Sequence, residues 1–377
     1  MRNSFLIAVM ILLSITSLQA QTNNDLLNVL TRNQVISQKQ ADSLRNEANK
    51  NAEQKNGIKS VLNNTNKALQ ITGFTQFRYQ ELDQAGKKDG FDLRRARVVF
   101  KGDVLKNWSY FVQFDMACSP RLLDAYANLK LSDALMFTFG QFKVPLSRES
   151  LISSGKLETL DCSQVVEALV ARPGDVIGNQ LGYDQGVKVS GDLFKLNDRH
   201  LLEYQLAVVN GAGINVTGDN NESKDLAGRM IVHAVKGLDL GGSFYKGLDN
   251  WNSTVNNVAV SNIARKRDRI GFDLYYTLGG ASLQSEYLKG WDGNIIRSGY
   301  YVQAAYFVMP GKLQLLAKYD SYDPNKDVSK DKSNWYILGA NYNLGPNSRL
   351  QVAYNIKTEE GTEIHNNMAA VQLQIGF

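Results

Sequence analysis

The sequence has few of the residues that mark a catalytic centre, a metal site or a disulfide scaffold. Cysteine occurs twice and proline six times in 377 residues. The three histidines, His200, His233 and His365, have no metal-ligand spacing around them, and no nucleophile stands beside a base. The net charge of +5 is too mild to indicate a nucleic-acid partner. These absences exclude most enzyme classes and imply neither a metal nor a cofactor.

Long apolar runs are also absent, except at the N-terminus. Arg2 precedes an apolar run over 5–13, and Ala20 comes before a cleavage site at Gln21, which predicts a secretory signal peptide over 1–20. After residue 20 no run approaches the length of a transmembrane helix. Any later membrane span must therefore be made of strands.

Residues 21–69 differ in composition from the rest, being rich in Asn, Gln, Lys and Ala. Some of their apolar positions follow a heptad register, which Gln34 and Ser37 interrupt. The register predicts a helical periplasmic segment. Two interpretations stay open: a solvated spacer, or a coiled-coil stalk that helps the protein trimerise.

From Gln70 to Phe377 the sequence contains sixteen strand candidates whose connections alternate in length. Connections after even-numbered strands are short, for example 105–107, whereas most of those after odd-numbered strands are long, for example 143–182 and 246–266. Short turns at one end and long loops at the other are typical of bacterial outer-membrane barrels. The sequence predicts an all-β fold, a transmembrane antiparallel β-barrel of about sixteen strands over 70–377.

The predicted strands also separate an apolar face from a polar one. In the last strand Val371, Leu373 and Ile375 alternate with Gln372 and Gln374. Side chains alternate along a strand, so the first set faces lipid and the second faces water. A barrel of about sixteen strands is wide enough to leave an aqueous channel.

Residues 143–182 lack strand alternation and are predicted to fold into the lumen and narrow it. This segment contains Cys162, and the short preceding loop contains Cys118. Both cysteines lie at the long-loop end, where oxidation is permitted. A disulfide between them and two independent thiols both remain open.

Four stretches resemble a known family. FDLRRARVVFKGDV (91–104), WSYFVQFDMA (108–117), DAYANLKL (124–131) and GQFKVPLSRES (140–150) are similar to the phosphate-selective porin O and P family. The resemblance implies a sixteen-stranded trimeric porin whose third extracellular loop folds inward and whose basic lining attracts anions. It does not identify phosphate as the solute, because no complete arginine ladder matches residue by residue.

Basic residues are the candidates for the pore lining. Strand alternation points Arg78, Arg95, Arg97 and Lys101 inward, and the long loop adds others. The full set of candidate pore-lining and anion-binding residues is Arg78, Arg95, Arg97, Lys101, Lys143, Arg148, Lys156 and Arg172. The carboxylates predicted to face inward are Asp115, Asp124, Glu203, Asp273, Glu286 and Asp320. Two interpretations remain: the bases select anions, or they pair with these acids and stiffen the barrel.

The sequence thus predicts a porin in the outer membrane of a Gram-negative bacterium. It would pass small hydrophilic solutes by passive diffusion, with a preference for anions such as phosphate. The expected partners are such solutes, outer-membrane lipids, two further copies in a homotrimer, and the barrel assembly machinery, which would recognise Phe377. The alternative is a barrel that anchors long extracellular loops, above all 246–266, for adhesion or for binding a glycan or another partner.

Overall fold

The structure is a computed structural model. It describes residues 31–32, 37–40, 42–43, 68–84, 86–197, 199–255 and 258–377, without the side chains of 252–263. The predicted signal peptide and most of the predicted segment over 21–69 lie outside these residues, and described positions 31–32, 38–40 and 42–43 are helical. In the described part of the chain no helix is both long enough and apolar enough to cross a membrane. The chain divides into two compact units, Met1–Ile71 and Thr72–Phe377, and the second holds the barrel.

Sixteen antiparallel strands close into one barrel in sequence order, which confirms the predicted fold class. Their bounds are β1 (Gln70–Leu82), β2 (Gly90–Leu105), β3 (Trp108–Asp115), β4 (Arg121–Ser132), β5 (Leu135–Lys143), β6 (Tyr183–Leu196), β7 (Arg199–Val209), β8 (Asp225–Val235), β9 (Leu238–Val255), β10 (Val258–Leu278), β11 (Ala281–Asp292), β12 (Ile295–Met309), β13 (Leu313–Asp323), β14 (Ser333–Gly345), β15 (Ser348–Glu359) and β16 (Met368–Gly376). The barrel closes where β1 pairs with β16, with Arg78 opposite Gln372. Phe377 adds two backbone hydrogen bonds with Gly73, of 3.1 and 3.0 Å.

The expected loop over 246–266 is wrong in its bounds. β9 continues to Val255 and β10 begins at Val258, and Lys246 lies opposite Asp268 in their ladder. The Asn, Asp and Ser residues of this stretch predict a loop by composition. Pairing with a neighbouring strand overrides that local preference, because strand formation depends strongly on context.

The two faces of the wall follow the alternation of the sequence. In β16 Ala370, Gln372 and Gln374 are buried, whereas Ile375 and the following Phe377 are exposed on the outer surface. The polar inner positions are buried because another part of the chain lies against them. The packed core of the protein therefore lies inside the barrel.

That part of the chain is the long connection, residues 144–182, between β5 and β6. It contains two short helices, α1 (Arg148–Leu151) and α2 (Gln164–Leu169). Its side chains and backbone bond to inward-facing residues of widely separated strands, β1, β10, β11, β13 and β15 among them. Contacts with so many strands place the long connection inside the barrel.

Candidate pore constriction

One side of the long connection is an apolar core. Val165 and Leu169 of α2 are fully buried and belong to one cluster with Leu288 of β11 and Tyr301 of β12. Burying an apolar side chain of this size stabilises the folded state by roughly 1.5–3 kcal/mol. The run Gln-Val-Val-Glu-Ala-Leu thus forms a helix whose apolar residues attach the long connection to the wall. We call this region, facing β9–β13, the packed side.

Buried ion pairs fix the same side. Glu149 lies 2.6 Å from the Lys318 ammonium, with both side chains at most 1% exposed. Arg148 lies 2.7 Å from Asp273 of β10 and 3.2 Å from Asp239 of β9. Removing one member of such a pair costs about 3–5 kcal/mol, because the other charge stays buried alone. Arg148, a predicted pore-lining residue, is therefore held between carboxylates of the wall.

Asp175 forms the third anchor of the packed side. Its carboxylate lies 2.8 Å from Arg267 and 3.4 Å from Arg269, both on β10. Burial alone would raise the pKa of Asp175, but Arg267 and Arg269 lower it to about 2. The carboxylate is therefore charged at neutral and mildly acidic pH.

Asp161 meets the arginines of β1 and β2. Its carboxylate lies 2.7 Å from Arg78, 3.0 Å from Arg94 and 3.9 Å from Arg95. Burial would raise the pKa of this carboxyl, but the arginines, Arg78 first, hold it well below its ordinary range. One carboxylate thus faces three guanidinium groups, so positive charges outnumber negative ones in this group of β1 and β2 residues.

Arg97 and Lys143 stand further along the same wall. Arg97 lies 3.1 Å from Asp115, its partner in the β2–β3 ladder. The Lys143 ammonium donates to the backbone carbonyls of Ser150 and Ile152, at 2.5 and 2.9 Å. No carboxylate of the described residues forms an ion pair with Lys143 within 4.0 Å. The polar partners of this ammonium group are thus backbone carbonyls of the long connection.

Two cavities adjoin at these residues. The loop-side cavity, of about 230 Å³, lies towards the long loops and is lined by Arg95, Arg172 and others. The turn-side cavity, of about 320 Å³, lies further towards the short turns. Both are lined by Arg97, Lys143 and Tyr183, which we call the junction. We call this region along β2–β6 the open side, and the path that the two cavities would form through it the passage.

The family model of the phosphate-selective porins O and P matches residues 69–377. The chain belongs to this family. The porin is also 25% identical over 293 residues to an uncharacterised protein of Aquifex aeolicus (strain VF5), with 68% of each chain covered.

Solved barrels give the same fold at low sequence identity. The anion-selective porin from Comamonas acidovorans superposes with a TM-score of 0.60 at 14% identity, covering 82% of this chain and 99% of that one. A loop L8 deletion mutant of OmpT from Vibrio cholerae gives 0.59 at 14%, covering 82% and 99%. Salmonella typhi OmpF gives 0.59 at 12%, covering 82% and 97%. At these identities the likeness supports the fold, and the family identifies the protein as an outer-membrane channel.

The predicted basic residues of this porin separate into two groups. Arg95, Arg97, Lys143 and Arg172 come together around the loop-side cavity. The remaining four lie elsewhere. Arg78 is buried beside Asp161, and Arg148 lies in the packed side. Lys156 is exposed beside a third cavity of about 270 Å³, and Lys101 lies opposite Phe111 in the β2–β3 ladder.

Sequence reasoning missed the carboxylates of the long connection. It counted the bases of this segment but not Asp161, which faces three of the arginines, nor Asp175 and Glu149. A count would have shown them, since residues 144–182 contain five acids (Glu149, Glu158, Asp161, Glu167, Asp175) against three bases (Arg148, Lys156, Arg172). Which base each acid meets depends on the path of the connection through the lumen.

The two cysteines are separate thiols, so the disulfide alternative is not formed in the structure. Cys118 is exposed and lines the loop-side cavity. Cys162 points into the apolar core of the packed side, and burial raises the pKa of its thiol to about 12. The long connection turns Cys162 towards the packed side, away from the loop-side cavity that Cys118 lines.

Proposed function

We propose that this porin passes small hydrophilic solutes by passive diffusion along the open side, with a preference for anions, phosphate among them. The observation that supports the proposal is the charge of the passage. Its lining contains seven bases, Arg94, Arg95, Arg97, Arg121, Lys143, Arg172 and Lys188, against three acids, Asp115, Asp124 and Glu167. A narrow passage with an excess of one charge concentrates counter-ions and favours their passage.

The packed side contributes little to this selectivity. Arg148, Arg267 and Lys318 each form an ion pair with a carboxylate at 2.6–2.9 Å, within a region filled by apolar side chains. Their charges are largely cancelled at short range. The long connection would therefore narrow the lumen and displace the solute path towards β2–β6, where the lining contains more bases than acids.

The assembly we propose follows the same family. Residues 1–20 would be removed as a signal peptide, and 21–69 would form a periplasmic helical segment, either spacer or trimer stalk. The barrel over 70–377 would assemble as a homotrimer, and Phe377, exposed after β16, would serve as the assembly signal. OmpT of Vibrio cholerae, a structural neighbour, is described in a trimer form. The adhesion alternative relied mostly on a loop over 246–266, most of which is paired strand.

The reversal potential in a salt gradient tests the anion preference. The double variant Arg97→Gln/Lys143→Gln removes two cations from the junction and keeps polar side chains that can donate hydrogen bonds. Its reversal potential should move towards cation preference at low salt, and the shift should shrink at 1 M, where the Debye length is roughly 3 Å. The matched control, Lys326→Gln/Lys332→Gln, removes two charges from the β13–β14 loop, where the two lysine side chains are 42% and 41% exposed. A folded double variant with unchanged low-salt selectivity would contradict the proposal.

A further inference from the structure

The wall of the turn-side cavity is unusual in carrying aromatic side chains at inward positions, because the interior of a porin is generally polar. Phe111 of β3 and Tyr126 of β4 are direct ladder partners, and both line the cavity. Their rings are stacked, with centroids 5.4 Å apart and planes within 8°. Both side chains are half-buried, so part of each is accessible from the lumen. The pair offers an apolar aromatic surface to the cavity.

Cations surround this aromatic surface. The Lys188 ammonium lies 5.1 Å from the centroid of Phe142, and no ion pair within 4.0 Å joins it to a carboxylate of the described residues. Arg97 and Lys143 line the same cavity at the junction. The one carboxylate in its lining, Asp124, accepts a hydrogen bond from the Tyr183 hydroxyl at 3.0 Å. The cavity thus combines an apolar wall with a net positive charge.

We infer that the turn-side cavity is a binding site for small organic anions that carry a flat ring, such as aromatic carboxylates. The ring would lie against Phe111 and Tyr126, and the acid group would face Lys188, Arg97 and Lys143. This inference rests on the proposed anion preference and names the class of solute that is retained best.

The chemistry of the wall separates this class from inorganic phosphate. A small, strongly hydrated anion gains from the cations but loses hydration beside an apolar surface that returns no hydrogen bonds. A ring-bearing anion gains from the cations and also buries its ring against the stacked aromatic pair. The cavity volume, about 320 Å³, is near the lower end of the range for ligand pockets, which suits a single ring.

Block of the single-channel chloride current tests the inference. Benzoate, acetate, inorganic phosphate and benzyl alcohol would each be titrated onto the wild-type porin in a planar bilayer. Benzoate should reach half-block at a concentration about fivefold or more below that of acetate or phosphate, as expected for one or two ring contacts. Benzyl alcohol, which has the ring without the charge, should block weakly.

The variant Phe111→Leu/Tyr126→Leu should bring the half-blocking concentration of benzoate close to that of acetate. The control Tyr275→Leu removes a ring from the separate cavity that also contains Lys156, and should keep the benzoate preference. Equal block by benzoate and acetate in the wild type, or by benzoate and benzyl alcohol, would overturn the inference even if the double variant failed to fold. A double variant that folds and still prefers benzoate would also overturn it.

The chloride reversal potential, measured on the same channels, separates this inference from the proposed function. It reports the charge of the passage and does not depend on the rings. Loss of anion preference with benzoate discrimination retained would contradict the proposed function alone. The converse result would contradict the aromatic site alone.

Discussion

Arg97 on the open side and Arg267 on the packed side show that one residue type has two different roles within the same lumen. Their side chains are similarly buried, 6% and 2% exposed. Arg267 bonds to two fully buried carboxylates, Asp175 and Asp249, and its guanidinium lies 4.7 Å from the Tyr245 ring centroid. Arg97 meets one partly exposed carboxylate, Asp115, and lines two cavities. Compensation by acids, more than burial, distinguishes a structural arginine from one available to solutes.

The difference between the two sides follows from the long connection. Its apolar residues and two of its acids, Glu149 and Asp175, face β9–β13, where the acids cancel cations of the wall. Along β2 its one close carboxylate, Asp161, is shared among three arginines. The same loop therefore neutralises one half of the lumen and leaves the other half basic.

The largest expected effect comes from breaking an ion pair of the packed side. Lys318→Met leaves Glu149 buried without its cation, and should lower the free energy of unfolding by about 3–5 kcal/mol. Urea unfolding in detergent micelles, followed by tryptophan fluorescence, measures this change. The double variant Lys318→Met/Glu149→Gln removes both charges and should recover at least half of the loss. Equal stability of the single variant and the wild type would show that the pair does not hold the connection.

A smaller loss of folding stability is expected at acidic pH. The pKa of Asp175 in the folded protein, about 2, lies below its unfolded value near 3.8, so its ion pairs stabilise the fold above about pH 4. This contribution, about 2–3 kcal/mol, should be lost as the pH falls from 4 to 2. Unfolding curves at several pH values would show it as a slope. Asp175→Asn should have a flatter slope in this window, and identical slopes would count against the assigned pairing.

Much of the fold could be predicted from the sequence because alternation acts residue by residue. The apolar and polar sets of β16, the number of strands and the inward direction of Arg95 and Arg97 all follow from a period of two. Alternation from Gln113 also places Phe111 inward. This signal is present in the sequence, but the polar residues on the same face, Ser109 and Gln113, obscure it. The extent of β9 and β10 could not be predicted, since their ladder overrides a loop-like composition.

The charge balance of the passage could not be predicted from the sequence, for a different reason. Arg78 and Asp161 are 83 positions apart, and their contact depends on the route of the long connection across the barrel. Alternation fixes the direction of a side chain but not its partner. The separation of packed and open sides is therefore a tertiary property, which the count of bases alone did not reveal.

The smallest effect concerns Cys118, which provides a native probe of the open side. Its thiol is exposed and lines the loop-side cavity with Arg94, Arg95 and Arg121, whereas Cys162 is buried. A negatively charged thiosulfonate reagent should therefore modify Cys118 faster than a positively charged one, by roughly two- to tenfold at low salt, once each rate is normalised to a free thiol. The ratio should approach one at 1 M salt, where the Debye length is about 3 Å. Mass spectrometry of timed samples gives both rates and shows whether Cys162 stays unmodified. Faster modification by the cationic reagent at low salt would mean that the arginines around Cys118 do not set the potential at the entrance of the passage.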